Sequence, residues 1–302
     1  MKRLVSLLLV LGLAIAACGA DDSGLTTPTP SGVAAFPVIV RGTEIPELPE
    51  RIVSLSATHT EVLYEIGAGT AIVGTDLFSD YPALANETEK IDAFNLNVEA
   101  VAALDPDLVI LSFDPGDAVS GLAAVGIPTM LFAAPGPATL EEVYLEWRDL
   151  GTATGQDEAA AALIAQVSSD IDGILIQVPQ NVGASTYFLE LDSTLFTAGT
   201  GTLLDSIFGM LGMMSIVDRA DGPFPQLSSE YVIGADPDFV FLADTVCCGQ
   251  SADTVAARPG WAEMTAIRND DIVELDDGVA SRWGPRLVDL ILTIAKEVYG
   301  VE

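Results

Sequence analysis

The sequence predicts an α/β protein made of two lobes that are joined by one long helix. Short apolar runs, typical of buried strands, alternate with helix-like stretches in both halves of the chain. Between the halves, residues 158–178 contain no proline and only one glycine, Gly173, which predicts a helix of about twenty residues. A motif that occurs once in each half, described below, supports the division into two lobes.

The first half is predicted to form a parallel sheet with helices on both faces, because strands and helices alternate in it. The helix after the first strand begins at the capping residues Ser56 and Thr58 and ends at Gly67. A second helical stretch lies near Leu122. The strand candidates are residues 51–56, 71–73, 108–111 and 128–132.

The second half repeats the alternation after the long helix. Its last helix is predicted over residues 287–298, which carry apolar side chains at helical spacing. The strand candidates are residues 185–191, 239–243 and 272–275.

The repeated motif joins a short helix to a strand through Asp-Pro-Asp. Residues 97–111 read NVEAVAALDPDLVIL, and residues 228–242 read SSEYVIGADPDFVFL. Glu99 and Glu230 hold the same place, each six residues before the first aspartate of its motif. A glutamate in the first helical turn is stabilised by the helix dipole, so a purely local role is one explanation. The other is that the pair marks equivalent points on two lobes that dock on a twofold-symmetric partner.

The N-terminus has the features of an export signal. Lys2 and Arg3 precede an apolar run over residues 4–14, which is too short to span a bilayer as a helix. The run ends in Ile-Ala-Ala-Cys, which resembles a bacterial lipobox. We therefore expect residues 1–17 to be a lipoprotein signal peptide, with an ordinary signal peptide as the alternative.

Cys18 would then be the first residue of the mature protein and would carry the lipid. Residues 18–48 are predicted to be this lipidated cysteine and a flexible tether, since they are rich in small residues and proline. More than one acyl chain anchors a protein stably to a membrane. We expect the protein at the outer face of the cytoplasmic membrane, or in the periplasm.

Charge and composition exclude several classes of function. The 302 residues contain 44 acidic and 12 basic side chains, a net charge of −32. Phosphate would be repelled, so we expect no nucleic-acid partner. The single histidine excludes a histidine-rich zinc site. No motif combines a nucleophile with a base, so we expect no enzyme activity, with a secreted enzyme as the remote alternative.

Segments in a fixed order resemble the periplasmic binding proteins for vitamin B12 and iron chelates, the extracytoplasmic receptors of ABC importers. The segments are PERIVSLSATHTEVLYEIGAGTAIVGTDLFSDYP (49–82), NLNVEAVAALDPDLVIL (95–111), FTAGTGTLLD (196–205), GPFPQLSSEYV (222–232) and SRWGPRLVDLI (281–291).

The resemblance implies the class III periplasmic-binding-protein fold, which has two Rossmann-like lobes and a single long backbone helix. It places an N-terminal lobe at 49–155, the bridging helix at 156–180 and a C-terminal lobe at 181–302. The ligand would bind in the cleft between the lobes. Glu99 and Glu230 would pair with arginines of a permease dimer, which works with an ATPase, and the receptor would be a monomer.

The resemblance also places candidate ligand-binding residues on the loops that edge this cleft. Aromatic faces suit a large planar or macrocyclic ligand. Phe224 stands where cobalamin-binding relatives carry a tryptophan flanked by prolines. The candidates are His59, Phe78, Tyr81, Phe94, Phe196, Phe224, Arg282 and Trp283.

The ligand itself is expected to be a metal chelate, so we expect no further cofactor and no metal site of the protein. His59 is the one residue that could ligate the chelated metal directly, and a role in the pocket wall or at the helix start is its alternative. Ferric siderophores are often anionic and require arginine, of which the cleft segments offer Arg282 and Arg286. The net negative charge favours cobalamin, and a ferric siderophore or haem stays the alternative.

Cys247 and Cys248 are adjacent in the sequence DTVCCGQS. An exported protein can form disulfides, so a vicinal disulfide in a rigid loop beside the cleft is one interpretation. Two free thiols and a pair of thiolate ligands for a soft metal are the others.

Overall fold

The computed structural model describes residues 35–132, 136–179, 184–217 and 222–301. The signal peptide, Cys18 and the first part of the predicted tether lie outside these residues. The described strands are β1 (Val38–Val40), β2 (Thr43–Ile45), β3 (Ile52–Leu55), β4 (Ile72–Asp76), β5 (Glu89–Ile91), β6 (Leu108–Leu111), β7 (Thr129–Leu131), β8 (Thr186–Glu190), β9 (Met214–Ser215), β10 (Phe239–Leu242) and β11 (Ile272–Glu274). The described α-helices are α1 (Ala57–Glu65), α2 (Val98–Ala102), α3 (Ala118–Ala124), α4 (Leu140–Ala153), α5 (Asp157–Leu175), α6 (Leu203–Met210), α7 (Ser229–Ala235), α8 (Thr245–Cys248), α9 (Ala252–Ala256), α10 (Thr265–Asn269), α11 (Asp277–Ala280) and α12 (Leu287–Tyr299).

The first lobe contains a five-stranded parallel sheet in the order β5-β4-β3-β6-β7. The two central strands, β3 and β6, read IVSL and LVIL and are buried at every position. A strand that is buried throughout needs helices on both faces of its sheet, as parallel sheets have. The predicted strand at 108–111 matches β6.

The second lobe repeats this strand order in a four-stranded parallel sheet. Its order is β9-β8-β10-β11, so that β9, β8, β10 and β11 take the places of β4, β3, β6 and β7. The prediction of two α/β lobes is confirmed.

The long helix α5 follows the first sheet in the chain and precedes the second. Its 19 residues give it a length of about 28 Å. Ile164, Val167, Ile171 and Ile174 form its buried face, and they belong to a core that takes in apolar side chains of both lobes. The lobes are therefore packed together through one shared core around α5.

Helix α4 lies against α5 and was not predicted as a separate element. The two helices approach closely at Gly151, where an added Cβ would lie 2.6 Å from the Cβ of Ala160. Trp147 is fully buried on the inner face of α4. This helix brings Glu146 and Trp147 under the cleft.

The prediction of a flexible tether up to residue 48 is wrong for residues 38–45. Strands β1 and β2 form an antiparallel hairpin, and Arg41 and Gly42 turn the chain with φ of 50° and 82°. Val40 and Ile45 are buried in the shared core. Strands of three residues leave little pattern in a sequence, and their stability comes from this packing.

No helix among the described residues has the length and apolar character needed to cross a membrane.

Candidate ligand-binding cleft

Three adjoining cavities meet around the segment 281–283. Their volumes are about 270, 650 and 300 Å³, and all three are lined by Ser281 and Arg282. They lie beyond the carboxyl ends of the sheets, since Asp76 ends β4 and Ala243 directly follows β10. Ligands of open α/β sheets bind at these ends of the strands. We take these cavities together as the cleft. A further cavity of about 630 Å³ lies at the amino ends of β4 and β5 and contains none of the predicted site residues.

Three phenylalanines form an aromatic wall on the first lobe. The rings of Phe78 and Phe94 are 6.0 Å apart, and those of Phe94 and Phe113 are 5.1 Å apart. Phe78 is 59% exposed and Phe94 is 62% exposed, so large apolar faces remain open to the cleft. Phe113 was not predicted, although its position two residues after the strand at 108–111 could have indicated it.

Aspartates at the ends of two neighbouring strands hold this wall in place. The carboxylate of Asp76 accepts hydrogen bonds from the backbone N–H groups of Phe78 and Ser79, at 2.6 and 2.8 Å. The carboxylate of Asp92 accepts one from the N–H of Phe94 at 2.9 Å. Burial raises the pKa of Asp76, and these hydrogen bonds oppose the rise. Both aromatic side chains are therefore carried on turns of fixed shape.

Phe224 provides the aromatic surface of the second lobe. It is 45% exposed and lines the 300 Å³ cavity together with Leu191 and Leu203. Phe196 is 39% exposed, but it does not line any of the three cavities. Its backbone forms an antiparallel bridge with Gln226, two residues after Phe224 in the same loop. The structure brings Phe224 into the cleft and leaves Phe196 outside its lining.

Tyr81 lines the 650 Å³ cavity and is 46% exposed. The guanidinium carbon of Arg286 lies 4.4 Å from the centre of its ring, a cation–π contact. One face of the ring is thus covered by the protein.

Arg282 and Arg286 are paired with carboxylates inside the protein. Arg282 donates to Glu61 at 2.9 Å and to Asp80 at 2.8 Å through Nη1, and to the carbonyl of Phe78 at 2.8 Å through Nη2. Arg286 donates to both oxygens of Glu61, at 2.6 and 3.1 Å. Since Glu61 lies on α1 and both arginines precede α12, this ion cluster connects the lobes.

The pairing with carboxylates shifts the pKa values of both Arg282 and Asp80. Burial alone would lower the pKa of Arg282, but its hydrogen bonds to Glu61 and Asp80 outweigh burial and raise it. Burial would raise the pKa of Asp80, and Arg282 holds it below its ordinary value instead. Arg282 therefore lines the cleft, as predicted for a ligand-binding residue, but its guanidinium is paired with carboxylates of the protein.

His59 does not line the cleft, which corrects its prediction as a ligand-binding residue. Its side chain is completely buried, and its ring lies 4.0 Å from that of Phe132. Nε2 lies 3.3 Å from Oε2 of Glu146, and the indole N–H of Trp283 donates to the same oxygen at 2.6 Å. The first turn of α1 turns His59 inward, while Ala57 and Thr58 line the cavity.

Trp283 has both roles, because it lines two of the cavities and binds Glu146 beneath them. Its carbonyl also accepts a hydrogen bond from the indole N–H of Trp147 at 3.2 Å. Through these contacts with α4, the segment 281–283 of the second lobe is attached to the first lobe.

The structure joins Cys247 and Cys248 as a disulfide at the end of α8. Cys247 lines the 650 Å³ cavity. Asp277 holds the start of this helix, since its carboxylate accepts hydrogen bonds from the N–H groups of Thr245, Val246 and Cys247 at 2.9, 2.9 and 2.7 Å. The described residues contain no group of three or more His, Cys, Asp or Glu side chains that could hold a metal ion.

Glu190 and Asp244 form a buried carboxyl pair below α8. Burial raises the pKa of Asp244 to about 7, and the charge of Glu190 adds to the rise. Arg258 binds both oxygens of Glu190 at 2.6 Å. One guanidinium thus faces two carboxyl groups.

Glu99 and Glu230 occupy the same position on equivalent elements. Each is the second residue of its helix, α2 or α7, and each helix leads into the same strand of its sheet, β6 or β10. Both glutamates are exposed. The helices are capped alike, by the side chains of Asn97 and Ser228.

The Asp-Pro-Asp turns are also equivalent. Asp105 and Asp236 have positive φ angles of 49° and 46°. Asp107 accepts a hydrogen bond from the N–H of Arg51, just before β3, at 3.0 Å, and Asp238 accepts one from the N–H of Thr186, at the start of β8, at 2.8 Å. The sequence repeat is thus a structural repeat.

A model of the family described as periplasmic binding protein matches residues 52–279, about three quarters of the chain. The chain belongs to the periplasmic binding protein family. The matched residues contain both sheets, α5 and most of the cleft.

Individual relatives align with most of the length of this binding protein. It is 26% identical over 305 residues to the uncharacterized ABC transporter substrate-binding lipoprotein YvrC of Bacillus subtilis, covering 97% of this chain and 95% of that one. It is 27% identical over 247 residues to a vitamin B12-binding protein of Pectobacterium carotovorum, covering 80% and 85%. Among solved structures it is similar to the periplasmic heme-binding protein RhuT of Roseiflexus sp. RS-1, with 26% identity, a TM-score of 0.75 and coverage of 83% and 98%.

Proposed function

We propose that this binding protein captures cobalamin in its cleft and delivers it to the permease dimer of an ABC importer. Family membership gives the class of function, that of a substrate-binding protein serving such an importer. The observation that supports cobalamin is a cleft that combines exposed aromatic rings on both lobes with arginines already paired to carboxylates.

The aromatic surfaces suit a large ring system. Phe78 and Phe94 on one lobe and Phe224 on the other are each about half exposed in the free protein. Aromatic side chains of this size gain most when a flat or macrocyclic ligand covers them. The similarity to a vitamin B12-binding protein supports the same ligand.

Haem is the second candidate, because the similar protein RhuT is described as heme-binding. Haem would need groups that receive its two propionate carboxylates and its iron. In the described cleft both arginines are paired, and His59 is buried away from the lining. These contacts favour cobalamin over haem. They also count against an anionic ferric siderophore, because it too would need an unpaired arginine.

The proposal includes attachment to the membrane through lipidated Cys18. The lipobox-like sequence before Cys18 supports it, and so does the similarity to a protein named as a lipoprotein. The receptor would then stand at the outer face of the cytoplasmic membrane, within reach of its permease.

Phe224→Ala is expected to weaken cobalamin binding by about 1–3 kcal/mol, because it removes stacking area from the wall of the cleft. This corresponds to a dissociation constant about 5- to 150-fold higher, measured by titration calorimetry. Phe196→Ala is the matched control, since Phe196 is an exposed phenylalanine of the same lobe that lies outside the lining. Equal losses in the two variants would contradict the assignment of Phe224 to the site.

A further inference from the structure

Arg282 contributes to the lining of all three parts of the cleft. A guanidinium in this position would attract an anionic ligand if it were unpaired. Two carboxylates hold it instead, Glu61 at 2.9 Å and Asp80 at 2.8 Å. The ligand preference of the cleft therefore depends on whether these carboxylates neutralise the charge of Arg282.

The two carboxylates differ in their position. The side chain of Glu61 is 1% exposed, and it binds Arg286 as well as Arg282. The side chain of Asp80 is 66% exposed and lines the 650 Å³ cavity. Glu61 is thus buried between the lobes, whereas Asp80 is at the surface that a ligand meets.

The charges of the cluster balance only when Asp80 is counted. Glu61 supplies one negative charge to two guanidiniums, those of Arg282 and Arg286. Asp80 supplies the second negative charge. Without it, Glu61 would be the one carboxylate among the described residues in an ion pair with these guanidiniums, next to the exposed ring of Tyr81. Asp276 and Asp277 line the same cavity but form no ion pair with either arginine.

We propose that Asp80 is a specificity-determining residue, which excludes anionic chelates by neutralising Arg282 at the surface of the cleft. The inference rests on the proposed function, the capture of a chelate in this cleft. It assigns the site to ligands that are neutral or cationic around their ring. Haem with its propionates and ferric tris-catecholates fall outside this class.

Asp80→Asn tests the inference, because asparagine keeps the shape and can still accept the hydrogen bond from Arg282. We expect the affinity for haem and for a ferric tris-catecholate to rise about tenfold or more relative to the affinity of the same variant for cyanocobalamin. The gain should shrink in about 0.5 M NaCl, since salt screens exposed charges. Asp80→Ala should give the same order of affinities for the three ligands. Thermal unfolding shows whether each variant is folded.

Glu297→Gln is the matched control, since it removes one negative charge from an exposed position on α12, outside the cleft lining. The inference is overturned if Asp80→Asn gains no affinity for either anionic chelate, or if the control gains as much. It is also overturned if the unchanged protein already binds haem more tightly than cyanocobalamin. If cyanocobalamin binds but Asp80→Asn gains no affinity for the anionic chelates, only the role of Asp80 is contradicted. If none of the three ligands binds to any variant, the proposed function is contradicted as well.

Discussion

Replacing Glu99 and Glu230 together by alanine is expected to abolish cobalamin transport and the ATP hydrolysis that the receptor stimulates. Both carboxylates are exposed and occupy the same position on equivalent helices, so they would present two matched charges to a twofold-symmetric permease. Arginine on each permease subunit would bind one carboxylate in a charge-assisted contact. The unfolding temperature and the ligand affinity should stay nearly unchanged, because neither glutamate lies in the cleft or the core.

The control for this variant is Glu141→Ala with Asp253→Ala. These two residues are also exposed acidic side chains at the second position of a helix, but the repeat does not relate them. Transport in proteoliposomes should persist with the control, and each single variant, Glu99→Ala or Glu230→Ala, should be intermediate. Normal transport by the Glu99 and Glu230 double variant would mean that both residues only stabilise their helices.

Glu61→Ala is expected to lower the free energy of unfolding by about 3–5 kcal/mol, measured by urea denaturation at pH 7. The substitution leaves Arg282 and Arg286 without the buried carboxylate that they share, and it removes the ion cluster between the lobes. Glu65→Ala is the control, since Glu65 is exposed at the end of the same helix. A loss below about 1 kcal/mol, as at exposed ion pairs, would show that the cluster does not hold the lobes together.

The fold could be predicted because its determinants are local. Strand β6 is a run of four apolar residues that stay buried on both faces, and the helices α5 and α12 carry apolar residues at helical spacing. The hairpin at 38–45 was missed, since its three-residue strands depend on packing against the shared core rather than on their own pattern.

The candidate site could be predicted only in part, because pairing across the chain decides it. The aromatic residues Phe78, Phe94 and Phe224 line the cleft, where the family resemblance implied that they would lie. His59 is buried in contact with Glu146, 87 positions further along the chain, and Arg282 is paired with Glu61, 221 positions away. No local pattern encodes such contacts, so the sequence could indicate the loops of the cleft and not its charge.

The proposed ligand is tested most directly by titrating the purified protein in parallel with cyanocobalamin, haem and a ferric tris-catecholate, with isothermal titration calorimetry as the readout. Cyanocobalamin is expected to bind at one site per protein and with the highest affinity of the three. Tight binding of haem or the ferric tris-catecholate, together with no detectable binding of cyanocobalamin, would contradict this expectation.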